Sequence, residues 1–273
     1  MWVCRHRDLD LTTGFVRGAA AGLVVDTGAD LVAARGVREE IARLAGTAEL
    51  PLSVVYTHAH FDHCFGTAAL TTPAASEQPA PGSAAVTSPP VPVWAHERCA
   101  VELAVNGVRQ RESVVAGLRG AGRDLAAELV AAVVPVLPTR TLDTAAVISL
   151  GGRDVQLLHL GRGHTDHDVV VLVPDVDVVF AGDLVEQGAP PAFEDSDPRA
   201  WPRTLGALLD ALGPTASAAK VVPGHGDPVD AAFVAAQQAE LVAVAEACAR
   251  GLTDGGPYPV DVMEQALAAY RAV

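Results

Sequence analysis

Residues 57–63 read Thr-His-Ala-His-Phe-Asp-His and follow directly on the apolar run Leu52-Ser53-Val54-Val55-Tyr56, so three imidazoles and a carboxylate crowd the exit of a strand. Polar groups packed this densely are costly to bury without partners, and few folds can accommodate them except around a shared cation. On an extended segment side chains alternate, which turns His58 and His60 one way and sends Ala59 and Phe61 toward the interior. Asp62 and His63 follow where the chain should enter a helix, and they offer an oxygen and a nitrogen to a second cation. The chain has nine His in 273 residues, so composition alone does not produce this crowding. A closed structural zinc site is usually rich in cysteine. Cys4, Cys64, Cys99 and Cys248 lie far apart, with no C-x-x-C pair.

The same cysteine spacing predicts free thiols in a reducing compartment, hence a cytoplasmic location. The formal net charge is -14 and Lys220 is the one lysine. Nucleic acid is therefore not an expected partner, because phosphate-tracking surfaces need clustered basic residues. The amino terminus lacks a basic flank with an apolar signal core, and no run of eighteen uncharged apolar residues follows, so no membrane span is expected. Half of the chain is hydrophobic, enough for a sizeable core. The expectation is a single domain over 1–273 with a flexible Pro/Ala/Ser-rich loop at 71–92 beside the histidine stretch.

Along the chain, 20–28 reads as a short buried strand closed by Asp26-Thr27-Gly28. The spacing of Val37, Ile41 and Leu44 predicts a helix over 35–44, ended by Gly46. Strands are expected at 52–57 and 91–94, and helices at 97–106 and 112–134, the second interrupted by Gly117, Gly120 and Gly122. Strands follow at 147–150, 155–160, 169–173 and 176–180, the last two joined through Pro174-Asp175 as a hairpin. A helix at 201–212, a short strand at 220–222 and helices at 230–250 and 260–272 complete the chain. Strands then helices recur in each half, as two sheets packed face to face with helices outside would require.

Three further donors lie beside strands. His164 stands in Gly161-Arg162-Gly163-His164-Thr165-Asp166, where the glycines let the backbone approach a neighbour, and it would give the first cation a third nitrogen. Asp183 follows Ala181-Gly182 after a strand, where its two oxygens could bridge two cations. His225 ends Val222-Pro223-Gly224. The ordered set His58-x-His60-x-Asp62-His63, Gly163-His164-Thr165, Gly182-Asp183 and Gly224-His225 resembles the metallo-β-lactamase-fold superfamily of metallohydrolases, over the span from Asp26 to His225.

That resemblance implies an α/β, four-layer αββα sandwich of two mixed sheets, with the metals in a groove at one edge. His58, His60 and His164 would hold the first zinc, and Asp62, His63 and His225 the second. Asp183 would bridge, and Asp26 would hydrogen-bond behind the ligands rather than bind metal. The implied activity is zinc-dependent hydrolysis, with iron or manganese as other metals, in which a metal-bridging hydroxide cleaves an ester, lactone, thioester or amide bond of a small molecule. Asp62 would orient the nucleophile and pass a proton to the leaving group.

Arg162 is a candidate contact for an anionic substrate group. Asp183 stands where β-lactamases carry Cys or Ser, and the tail after His225 is short for a glyoxalase II helical domain; both lower the expectation of those substrates. Two other readings use the same fold. One is a mononuclear iron oxidoreductase of the persulfide dioxygenase type, held by His58, His164 and Asp183. The other is a non-catalytic metal binder.

Overall fold

Valine-rich strands buried on both faces must find apolar cover above and below, and the alternation of their side chains shows what supplies it. In the computed structural model, which describes residues 1–45, 50–71, 90–213 and 219–273, β3 (Gly22–Val25) and β4 (Leu52–Val55) run parallel side by side. Val24 and Val54 pack outward against Val37 and Ile41 of α1 (Leu31–Ala45) and against Cys99 and Leu103 of α4 (Glu97–Gly120). Their chain neighbours Leu23, Val25 and Val55 face the other way. There they meet Leu157 of β8 (Asp154–Leu158), Val171 of β9 (Val170–Val173), Phe180 of β10 (Val178–Glu186) and Val222 of β11 (Lys220–His225).

In the second half the alternation repeats. Val170, Val179 and Val221 point outward onto Leu205 and Leu208 of α6 (Trp201–Leu212), Leu241 of α7 (Ala231–Ala249) and Met263 of α8 (Val260–Ala272). Helix, sheet, sheet and helix therefore stack as the expected αββα sandwich.

The remaining strands are β1 (Trp2–His6), β2 (Leu11–Arg17), β5 (Val93–His96), β6 (Arg140–Leu142) and β7 (Ala145–Ser149). Hydrogen bonding runs β6-β5-β4-β3-β2-β11-β10-β9-β8-β7, with β1 paired to β2. The two layers are thus one path that folds over where His225 pairs with Leu11. Strands β3 to β6 are mutually parallel, as are β10 and β11, so their carboxyl ends gather along shared edges where loops can converge.

Local structure departs from the sequence reading at several points. α1 begins at Leu31, earlier than expected, because Asp30 Oδ1 accepts from the backbone N–H groups of Val32 and Ala33. The helix expected at 97–106 continues unbroken to Gly120, and the break falls at Gly122, whose φ of +71° is left-handed. α5 (Asp124–Ala131) follows it. The β9–β10 hairpin forms, turning through a 3₁₀ segment at Pro174–Val176 and left-handed Asp177. Two short helices, α2 (Phe61–Cys64) and α3 (Thr67–Thr71), follow the histidine stretch. Gly46 and nearly all of the 71–92 loop lie outside the described residues.

Candidate metal centre

The site is built on Thr57, two residues past β4. Its backbone N–H and its hydroxyl both donate to Asp26, each at 2.8 Å, and its carbonyl accepts from Val169 at the entry to β9. Asp26 directly follows β3 with a φ of +58°, a conformation uncommon for a residue bearing a side chain. Its buried carboxylate is held there by Thr57 and by His63 Nδ1, 2.8 Å away. One acid thus fixes both ends of the loop carrying His58, His60, Asp62 and His63. Gly182, with φ of +56°, packs on the far side, where an added Cβ would stand 2.7 Å from Thr57 Cβ.

The outer partners decide which ring nitrogen each histidine presents inward. His63 Nδ1 donates to Asp26, His225 Nδ1 to the Leu9 carbonyl at 2.9 Å and His164 Nδ1 to the Ala192 carbonyl at 3.3 Å. The hydroxyl proton of Thr57 goes to Asp26, so its oxygen accepts from His58 Nδ1 at 3.1 Å. All four rings therefore turn Nε2 to the centre. His60 is reversed. Its Nε2 meets Asp195 Oδ2 at 3.0 Å, which leaves Nδ1 facing inward.

These atoms converge on Asp183. His58 Nε2 and His164 Nε2 lie 3.7 and 3.6 Å from Oδ2, His225 Nε2 lies 3.4 Å from the same oxygen, and His63 Nε2 lies 3.2 Å from Oδ1. His225 Nε2 is also 3.4 Å from Asp62 Oδ2. Donor atoms of His58, His60, His164 and Asp183 all lie within 4.8 Å of one another, and those of Asp62, His63 and His225 form a second such group. Asp183 sits within β10, not beyond its end as the sequence led us to expect. The strand runs on to Glu186 with register shifts around Gly182. Gly224 opposite is required by close approach, since any Cβ there would overlap the Asp183 carboxylate.

A metal fits this donor set on two observations. His58 Nε2, His63 Nε2 and Asp183 Oδ1 are buried with no hydrogen-bond partner, although native interiors rarely leave such atoms unpaired. His60 Nδ1 and His164 Nε2 stand 3.0 Å apart with lone pairs facing, an arrangement that repels unless a cation or proton lies between them.

Burial, reinforced by neighbouring His63, pushes the His58 pKa well below the ordinary histidine value, and burial carries His164 down to about 4. Both are neutral at pH 7. For His63 burial acts downward but is outweighed by the Asp183, Asp62 and Asp26 carboxylates, which raise it well above the ordinary value. Burial also opposes the rise of His225 to about 9, which the hydrogen bond to Asp183 drives. Burial would raise Asp183, yet His63 and His58 hold it well below the carboxylate range, so it stays ionised.

Residues around the centre, among them the candidate substrate contact Arg162, take varied places. Arg162 lies 3.5 Å from Asp197 with its side chain half exposed, and its carbonyl accepts from the Thr204 hydroxyl. His167 is buried. Its Nε2 accepts from the Ala59 backbone N–H, and its Nδ1 meets Asp166 at 2.8 Å. Trp201 is core, with its indole N–H donating to the Leu184 carbonyl, and Cys64 is a buried thiol. Asp195 carried no local signal in the sequence. Glu186, 3.9 Å from His164 Nδ1, is raised to about 8 by burial and then by Asp183, and it too went unread.

Similarity to known proteins agrees with this geometry. Over 94 residues the chain is 34% identical to the metallo-beta-lactamase type 2 of Bacteroides fragilis, covering 33% of this chain and 36% of that one. It is 27% identical over 177 residues to the acyl-coenzyme A thioesterase MBLAC2 of Gallus gallus, covering 64% of this chain and 57% of the relative. The chain thus spans only about a third to three fifths of these relatives' lengths. Among solved structures, a metallo-beta-lactamase from Pontibacter korlensis superposes with a TM-score of 0.63 at 22% identity, covering 85% of this chain and 87% of the other. The sequence profile of the metallo-beta-lactamase superfamily matches residues 9–225. That match starts at Leu9, whose carbonyl orients His225, and closes on His225 itself; it takes in every converging donor, and the chain belongs to the metallo-beta-lactamase superfamily.

Proposed function

We propose that the protein is a metal-dependent hydrolase that cleaves an ester, lactone, thioester or amide bond in a small molecule, using two cations. The observation that carries this reading is the pair of donor groups meeting at Asp183. His58, His60 and His164 would hold one cation, Asp62, His63 and His225 the other, and Asp183 both. Nitrogen and carboxylate donors suit zinc first, with iron or manganese as alternatives. Bound there, zinc would lower the pKa of water to about 7, and either cation would polarise a carbonyl.

The chain's own residues supply orientation and proton transfer. The carbonyls of Leu9 and Ala192, with Asp26, Thr57 and Asp195, lock each imidazole in the tautomer that faces inward. Asp62, whose Oδ2 lies 3.4 Å from His225 Nε2, would accept a proton from the attacking water. As the bond from the acyl carbon to its oxygen, sulfur or nitrogen breaks, the same oxygen returns that proton to the departing atom.

The names of the relatives denote cleavage of a thioester and of a β-lactam, two acyl-group hydrolyses, which supports this bond class. The mononuclear iron reading uses His58, His164 and Asp183 and leaves Asp62, His63 and His225 without a task. Metal content separates the two, since hydrolysis calls for near two zinc per chain and the alternative for one iron with oxygen uptake. A screen of zinc-loaded protein across lactones, aryl esters, thioesters, phosphodiesters and β-lactams tests the bond class. His58→Ala should lose metal and hydrolysis together; full activity at unchanged metal content would count against the assignment.

A further inference from the structure

Between the β1–β2 loop and the α4–α5 turn the surface opens into a cavity of about 360 Å³, within the size range of small-molecule pockets. Its wall is largely apolar, formed by Leu9, Phe61, Leu118, Leu125, Leu129 and Val130. Two of these residues belong to the metal centre's own framework. Phe61 stands between His60 and Asp62 in the chain, and the Leu9 carbonyl accepts from His225 Nδ1. The far wall is tied to the same centre, because Gln110 of α4 donates from Nε2 to the Ala59 carbonyl and Arg98 of α4 pairs with Asp166 at 3.1 Å. The cavity therefore adjoins, through Phe61, the loop that carries His60 and Asp62.

Leu125 lines this wall yet is 72% exposed, and Leu118 and Leu129 are only half buried. Leucines gathered on a concave surface beside a reactive centre have apolar area left for a ligand to cover. The charges are equally informative. Asp8, Asp30 and Asp124 line the cavity with a single cation, Arg123, and the half-exposed Asp195 contacts His60. A strongly anionic substrate would meet repulsion from these carboxylates.

Resting on the hydrolase reading for the fate of the carbonyl, we propose that this cavity holds the apolar acyl arm of an uncharged substrate of medium chain length, with its carbonyl presented to the donor cluster. Chain length and the absence of charge then set specificity. Phe61 would contact the carbons next to the carbonyl, and Leu118, Leu125 and Leu129 the distal ones.

The test uses the zinc-loaded full chain and two readouts. By calorimetric titration, octanamide should bind at least tenfold more tightly than acetamide, and Leu125→Glu should abolish at least tenfold of that preference. Leu129→Gln, a milder change on the next turn, should reduce it in the same direction. In hydrolysis, the ratio of kcat/KM for p-nitrophenyl octanoate over the acetate should fall at least tenfold in Leu125→Glu. Equal binding of the two amides, or an octanamide affinity indifferent to both substitutions, would overturn the proposal even if every ester were hydrolysed. Octanamide binding that is sensitive to the substitutions, with neither ester hydrolysed, would support the pocket while sinking the hydrolase reading.

Discussion

The amino-terminal half of the molecule delivers four donors, His58, His60, Asp62 and His63, from one loop, whereas the carboxyl-terminal half delivers His164, Asp183 and His225 from three separate places. The first group is held from behind by one buried acid, since Asp26 grips Thr57 and His63 together. The second has no common support. His164 leans on the Ala192 carbonyl, His225 on the Leu9 carbonyl, and Asp183 on the shape left by Gly224. Donors clustered in sequence can share one positioning residue. Dispersed donors each need their own, and the damage done by losing a support should follow that division.

The largest effect is expected where the two halves meet. Asp183→Ala removes the group facing both donor sets, so hydrolysis should fall by more than the ~100-fold at which loss of an outer partner saturates, with metal lost from both sets. A variant retaining both metals would break the comparison.

Next, Asp26→Ala should weaken the amino-terminal group as a unit. Metal affinity should drop about 10–100-fold. Thermal stability should fall as well, because the Thr57 and His63 donors lose their buried partner at roughly 1–3 kcal/mol each. Metal titration and a melting curve check the two parts separately.

Asp195→Ala touches one ligand, His60, from a half-exposed position where water can take its place, so the loss in metal affinity should lie near the ~10-fold end of that range. A loss as large as that from Asp26→Ala would erase the distinction between shared and individual support.

The smallest effect concerns pH. Burial raises Asp168, which accepts from the Thr165 N–H and hydroxyl beside His164, from 3.8 to about 7. Its folded form thus binds a proton more tightly than the unfolded chain. The stability it contributes is full below about pH 4 and declines as pH rises toward 7. Metal-free protein should melt at progressively lower temperature from pH 5 to 7, and Asp168→Asn should flatten that slope. An unchanged slope would remove Asp168 as its origin.

How much of this was readable in the sequence follows the same division. The histidine stretch announced itself because its donors are neighbours, and the recurrence of strands then helices in each half pointed to the layers that Val24, Val54, Val170 and Val179 line. His164, Asp183 and His225 were legible through their Gly-His and Gly-Asp settings. Asp195 was not, because it meets His60 across 135 residues of chain and no local pattern encodes such a contact. The β1–β2 hairpin was missed for a different reason. Trp2-Val3-Cys4-Arg5-His6 mixes polarity without clean alternation, and its register comes from pairing with β2. The gap expected between 106 and 112 does not form, since α4 runs through it, whereas of the three glycines expected to interrupt the helix Gly122 takes the left-handed turn and Gly117 stays helical.

The most direct test of two donor groups sharing one carboxylate is equilibrium dialysis of metal-free protein against zinc, followed by elemental analysis. Wild-type chain should bind two zinc, falling to one in Asp62→Ala/His225→Ala, which spares the first group. One zinc per wild-type chain, unchanged in that double variant, would contradict it.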